Sequence, residues 1–199
     1  MKQISEFKMT MRMQPGHLLR IYVTSVPKEP NKLLPNSFAY EKRYMEQLRD
    51  AGPIDRFQLY IDSHGGAANS AMGLLAAITD WLDKVPGSIL IDGECGSAAT
   101  LVAFGHKAKV YITPRSRVFI HAPKQLDCMK RGGVWTVAEK LGKSSTTHFM
   151  LATYRSRTKQ PRRLIRQWIA DGVRFTPDEA VKLGFCEKVM QLAEFQALK

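Results

Sequence analysis

A serine, a histidine and a double glycine are the residues of this chain whose types and order could carry out acyl transfer. Ser97 lies in Gly93-Glu94-Cys95-Gly96-Ser97-Ala98-Ala99, directly after a short apolar run. His121 closes a second run, Arg117-Val118-Phe119-Ile120-His121-Ala122-Pro123. Upstream, Leu59-Tyr60-Ile61-Asp62-Ser63-His64-Gly65-Gly66 carries a strand into the double glycine. A serine hydroxyl is a weak nucleophile until a neighbouring base takes its proton, and the oxyanion formed on attack needs N–H donors already in place. Ser97 is the expected nucleophile, His121 the base, and the N–H groups of Gly66 and Ala98 the oxyanion donors. Ser97 would begin a helix, whose free N–H groups and positive dipole end favour an anion. Glycine at 65 and 66 lets a carbonyl approach the backbone closely. His64 is a second base by type. Taken singly, Ser97 reads as a helix cap and His121 as a strand-end histidine; only their joint order points to catalysis.

The elements that must position these residues follow from periodicity and punctuation. Leu18 to Thr24 reads as a strand, a Pro-rich turn follows from Pro27 to Pro35, and a helix is expected from Ser37 to Ala51. Asp55 to Asp62 reads as a strand, and Ala67 to Lys84 carries apolar residues at helical spacing until Pro86-Gly87. Ser88 to Asp92 is a short buried strand, with a helix from Ser97 to about Gly105. Lys109 to Ile112 and Val118 to His121 are two more strands. A long helix is expected from Val134 to Arg157 after Gly132-Gly133, and another from Pro161 to Ala170. Thr176-Pro177-Asp178-Glu179 has the form of a capping box with proline at the first helical position. A last strand is expected from Phe185 to Met190. Strands alternating with helices give an α/β class with a mostly parallel sheet.

Length and composition narrow the function. At 199 residues the chain is read as a single domain, 1–199, able to bury a full core. No stretch reaches the ~20 apolar residues of a membrane span, and the first eight residues do not read as a secretory signal. Cys95, Cys128 and Cys186 lack metal-ligand spacing and suit a reducing cytoplasm. The net charge of +12 is concentrated in Arg155, Arg157, Lys159, Arg162, Arg163 and Arg166. Without interleaved aromatics that run reads as a solvated helix face in preference to a nucleic-acid site.

From Arg56 to Val189 the chain resembles the proteolytic subunit of the Clp protease, a family of self-compartmentalising serine peptidases. The residues that carry the resemblance are Tyr60 to Gly66, Gly93 to Ala99, Pro114 to Pro123 and Phe175 to Phe185. It implies the Clp and crotonase fold of repeated strand–strand–helix units with a projecting long helix. It also implies Ser97, His121, Gly66 and Ala98 in the roles given above, unfolded polypeptide as substrate and no metal or cofactor. A homo-oligomeric ring working with a separate ATP-driven unfoldase is the implied assembly. Residues 1–53 match weakly, a divergence familiar in phage and prophage members, including those that process capsid proteins. His64 stands where the family has proline, and Ala98 where a larger residue is usual. Gly172 occupies the position of the family's orienting aspartate, with Asp171 one place earlier, so Asp171 is the expected third member. Two other readings fit parts of the pattern: a noncatalytic ring subunit, and an acyl-CoA-binding protein of the crotonase type.

Overall fold

The computed structural model describes residues 5–27, 37–131, 134–141 and 145–198. Two long antiparallel strands open the chain, β1 (Ser5–Gln14) and β2 (Leu18–Pro27). Then come α1 (Ser37–Arg49), β3 (Arg56–Ser63), α2 (Ala68–Leu82), β4 (Gly87–Gly96) and α3 (Ala99–Gly105). After β5 (Lys109–Ile112) and β6 (Arg117–Ile120), β7 (Lys124–Arg131) and β8 (Val134–Leu141) form a separate antiparallel pair. The chain closes with α4 (Ser145–Thr158), α5 (Arg162–Asp171), β9 (Val173–Phe175), α6 (Pro177–Lys182) and α7 (Leu192–Gln196).

The main sheet runs β1-β2-β3-β4-β6-β9, with β5 pairing on β4. Strands β2 to β6 are parallel, while β1 and β9 are antiparallel edges. Both faces of β3, β4 and β5 are buried over 57–61, 89–91 and 110–112, which is why those stretches are largely apolar. Leu59, Ile61, Ile89, Ile91, Val110 and Ile112 face the larger core beneath the helices. Tyr60, Leu90 and Tyr111, one residue out of phase, face a smaller cluster closed by Met190 and Phe195.

Strand β4 changes partner halfway along. Residues 88–91 pair with β5, whereas Glu94, Cys95 and Gly96 pair with Arg117, Val118 and Phe119 of β6. The register on the β3 side also shifts between Ile61 and Ser63. Gly93, with φ +132°, makes the kink. A Cβ there would stand 2.3 Å from the Asp62 carboxylate, which accepts the Glu94 N–H at 3.0 Å. Ser116 Oγ accepts the Gly93 N–H at 2.8 Å. The kinked second half of β4 therefore carries the chain to Ser97 beside β6.

Several expectations change. The helix expected over 134–157 is divided: residues 134–141 form β8, and the helix is α4 alone. Val134, Trp135, Thr136 and Val137 are strong strand formers, and pairing with β7 overrides the helical reading. The segment from Phe185 to Met190 is not a strand; it follows β5 through a single bridge, Val189 to Ile112. Strand β1, strand β9 and helix α7 were not expected from the sequence. Beyond Pro27 the Pro-rich turn lies outside the described residues, as do Gly132 and Gly133. The capping box is present: Thr176 Oγ1 accepts the Glu179 N–H, and Glu179 accepts the Thr176 N–H at 2.8 Å. Arg155, Lys159, Arg162, Arg163 and Arg166 are exposed, as a solvated face requires. Arg157 departs from them. Its side chain is only 14 % exposed and donates to the carbonyls of Phe185 and Ala108.

Candidate active site

Ser97 sits between β4 and α3 with φ +52°, a left-handed conformation that costs a non-glycine residue about 1–2 kcal/mol. The surrounding bonds hold it there. Its N–H donates to the Phe119 carbonyl at 2.7 Å, continuing the β4–β6 ladder by one residue. Its carbonyl accepts from Thr100 N at 3.1 Å and from Thr100 Oγ1 at 2.5 Å. With that hydroxyl committed, the buried Tyr154 hydroxyl of α4 donates to Thr100 Oγ1 at 2.5 Å. The side chain caps nothing: the residue at the N-cap of α3 is Ala98. A strained turn from strand to helix, with its serine side chain half-buried, is how a nucleophile is presented at a sheet edge.

The double glycine packs directly against this turn. A Cβ on Gly65, at φ +100°, would lie 2.6 Å from Gly96 O, 2.7 Å from Ser97 Cβ and 3.1 Å from Ala98 N. A Cβ on Gly96 would in turn lie 2.8 Å from His64 O. Only glycine allows two backbones to meet this closely. The Gly65-Gly66 turn is fixed from behind by Ser25 and Ser63. Ser63 Oγ accepts the Gly65 N–H at 3.1 Å, and Ser25 Oγ donates to Gly65 O at 2.6 Å. Gly66 and Ala98 thus belong to two turns in contact, and among the described residues neither N–H has an acceptor. The His64 side chain is exposed.

His121 follows β6 directly, half-buried. Its ring stacks on Phe119, two residues back on the same face of the strand, with centroids 5.0 Å apart and planes at 29°. Nδ1 lies 2.7 Å from the Ala122 carbonyl oxygen. A carbonyl can only accept, so Nδ1 is the donor in that bond. No hydrogen bond links Ser97 Oγ to His121 among the described residues.

Asp171 is placed differently from the other residues predicted to form the site. It ends α5, exposed, and forms neither a hydrogen bond nor an ion pair with His121. Gly172 adopts the left-handed helix-capping conformation at φ +72°, its N–H donating to Trp168 O at 3.1 Å. β9 then pairs antiparallel with β6, Ile120 opposite Val173, which puts Gly172 across from His121. The cap turns the Asp171 side chain out of that ladder.

Sequence reasoning missed Phe119 and Arg174 altogether. The Arg174 guanidinium lies 4.3 Å from the Phe119 ring centroid and is held by Glu94 at 3.0 Å. A cation over the ring of its cross-strand partner was findable only through β9, which has three residues and no pattern of its own. Cys95, beneath the site, is fully buried and its thiol is pushed well above the usual range by burial. A cavity of about 340 Å³ lies elsewhere, between Gly105, His106, Arg157, Gly184 and Glu187, and contains none of the site residues.

A mixed sheet that ends one strand in a strained serine, beside a glycine turn and a histidine on the next strand, is an α/β architecture able to seat a serine peptidase site. The Clp protease family model matches residues 40–193, and the chain belongs to that family. It is 31% identical over 144 residues to the ATP-dependent Clp protease proteolytic subunit 1 of Leifsonia xyli subsp. xyli, an alignment covering 68% of this chain and 67% of that protein. Among solved structures, a variant of ClpP1 from Listeria monocytogenes superposes with a TM-score of 0.58 at 15% identity, covering 79% of this chain and 88% of that one. A variant of the 1510-N membrane-bound stomatin-specific protease gives 0.52 at 20% identity, covering 80% and 76%. These structural likenesses establish the shared fold. No helix of the described residues is long and apolar enough to cross a membrane.

Proposed function

We propose that the chain cleaves unfolded polypeptides through an acyl-enzyme on Ser97. His121 Nε2 takes the hydroxyl proton as Ser97 Oγ attacks the scissile carbonyl, and returns it to the leaving amine. Water, deprotonated by the same nitrogen, then releases the acyl group. Gly66 and Ala98 N–H groups stabilise the tetrahedral oxyanion, each donor contributing a few kcal/mol. The observation that carries this reading is the strained Ser97 turn, tied at its N–H to the strand that ends in His121 and met by the glycine turn.

In this reading the Ala122 carbonyl holds the imidazole tautomer, the task a carboxylate performs in a full triad. Asp171, exposed at the end of α5, acts only if the chain rearranges about Gly172. The family also supports a ring of identical subunits served by a separate ATP-driven unfoldase, within a single domain spanning 1–199. The free, buried Cys95 and Cys186 suit a reducing cytoplasm.

Fluorophosphonate labelling of the purified protein, with the modified residue mapped by mass, tests the proposal. Modification at Ser97 that disappears in Ser97→Ala and in His121→Ala is the expected result. A folded protein that takes up no label at Ser97 overturns it in favour of a noncatalytic ring subunit.

A further inference from the structure

Phe119 touches both Ser97 and His121 through different parts of itself. Its carbonyl accepts the Ser97 N–H at 2.7 Å, and its ring stacks on His121 at 5.0 Å. Its ring is held in turn from the neighbouring strand. Arg174, paired with Phe119 across the β6–β9 ladder, sets its guanidinium 4.3 Å from the ring centroid. Glu94 on β4, three residues before Ser97, receives that guanidinium through both carboxylate oxygens, at 3.0 and 3.3 Å. The contacts close a loop from β4 through β9 and β6 back to Ser97.

We infer that Phe119 is a positioning residue that holds the His121 imidazole in register with Ser97, with Arg174 and Glu94 fixing its ring; this rests on Ser97 and His121 acting as proposed above. Gly172 lies across from His121, one step past the Ile120–Val173 pair, and the space beside it is bounded by Phe119. A Cβ on Gly172 would lie 3.8 Å from His121 Cβ and 3.9 Å from Phe119 Cε2. The ring therefore supplies a wall on one side of the imidazole, while the Ala122 carbonyl fixes Nδ1. An aromatic face restricts rotation of a stacked ring, and a cation held near that face adds a further attraction that fixes the ring. Misplacing a base by about an ångström can cost up to ~100-fold in rate, so a modest orienting contact has a large kinetic effect.

The experiment compares fluorophosphonate labelling of Ser97 in the full chain and in Phe119→Leu, Phe119→Tyr and Arg174→Gln, resolving the maximal rate from reagent affinity. Phe119→Leu keeps the backbone bond to Ser97 and removes only the ring. Its maximal rate should fall about tenfold or more while reagent affinity and melting temperature stay close to those of the parent. Phe119→Tyr should restore the rate to within about threefold, and Arg174→Gln should lower it by a smaller factor than Phe119→Leu. Phe119→Leu labelling as fast as the parent, or Phe119→Tyr as slow as Phe119→Leu, overturns the inference. If Phe119→Leu does not fold, Arg174→Gln decides, since an unchanged rate there removes the anchored ring as a cause. A parent that is not labelled at Ser97 removes the underlying reading itself, an outcome distinct from all of these.

Discussion

Gly172 stands across the β6–β9 ladder from His121, close enough that a Cβ on it would lie 3.8 Å from the histidine Cβ. That position is filled by a residue without a side chain, while the exposed Asp171 stands beside it. Gly172→Asp should place a carboxylate within reach of the imidazole. Aspartate tolerates φ +72° better than most residues, at a cost of about 1 kcal/mol. The labelling rate at Ser97 is expected to rise about tenfold, whereas Asp171→Asn should change it by less than about threefold. A large loss in Asp171→Asn would mean that the chain does rearrange about Gly172 during turnover.

Ser97 is held in a backbone conformation that glycine adopts freely. Ser97→Gly should abolish labelling and leave stability unchanged or higher by up to about 1 kcal/mol, the strain relieved being partly offset by unfolded-chain entropy. Chemical denaturation of the two proteins side by side checks this. A loss of more than about 2 kcal/mol would show that the Ser97 side chain holds the fold.

The contact between the two turns leaves no room at Gly65. Gly65→Ala would drive a methyl to 2.6 Å from Gly96 O and 2.7 Å from Ser97 Cβ, on a backbone at φ +100°. A cost of about 2–4 kcal/mol is expected, since backbone must move to relieve it. Labelling should fall with it, because the displaced atoms are those that carry the proposed oxyanion donors. Activity lost without any change in denaturation midpoint would place the effect in the donors alone.

Alkaline pH should unfold the protein through its buried acids. Burial pushes the Cys186 thiol up to about 12 and the Cys95 thiol well above its ordinary 9.0, and raises the Tyr60 hydroxyl to about 12. In the unfolded chain these groups lose protons near their ordinary values, while the native state keeps them. The unfolded state then binds fewer protons, so stability is full below about pH 9 and falls as pH rises towards 12. Urea midpoints measured between neutral pH and about pH 11 should decline, less steeply in Cys186→Ala. Iodoacetamide should leave Cys95 and Cys186 unmodified in the native protein at mildly alkaline pH and alkylate both once it is unfolded.

By itself the sequence determined the parts whose causes are local. The strand–turn–helix at Ser97, the glycine turn before α2 and the histidine at the end of β6 each depend on residues within a few positions of one another. The Thr176–Glu179 capping box, made of bonds three residues apart, was legible for the same reason. Only the tertiary structure decided which neighbours those parts would have. Residues 134–141 took the strand their β-branched side chains favour because β7 was there to pair with them. Arg157 left the basic face of its helix because buried carbonyls at Phe185 and Ala108 needed donors. Gly172 opposite His121, and Arg174 over Phe119, follow from the register of a three-residue strand. That register is set by packing across the whole sheet and has no local signal to read. The residue types of the candidate site were therefore legible in the sequence, while the neighbours they acquired were fixed by contacts among residues distant in the chain.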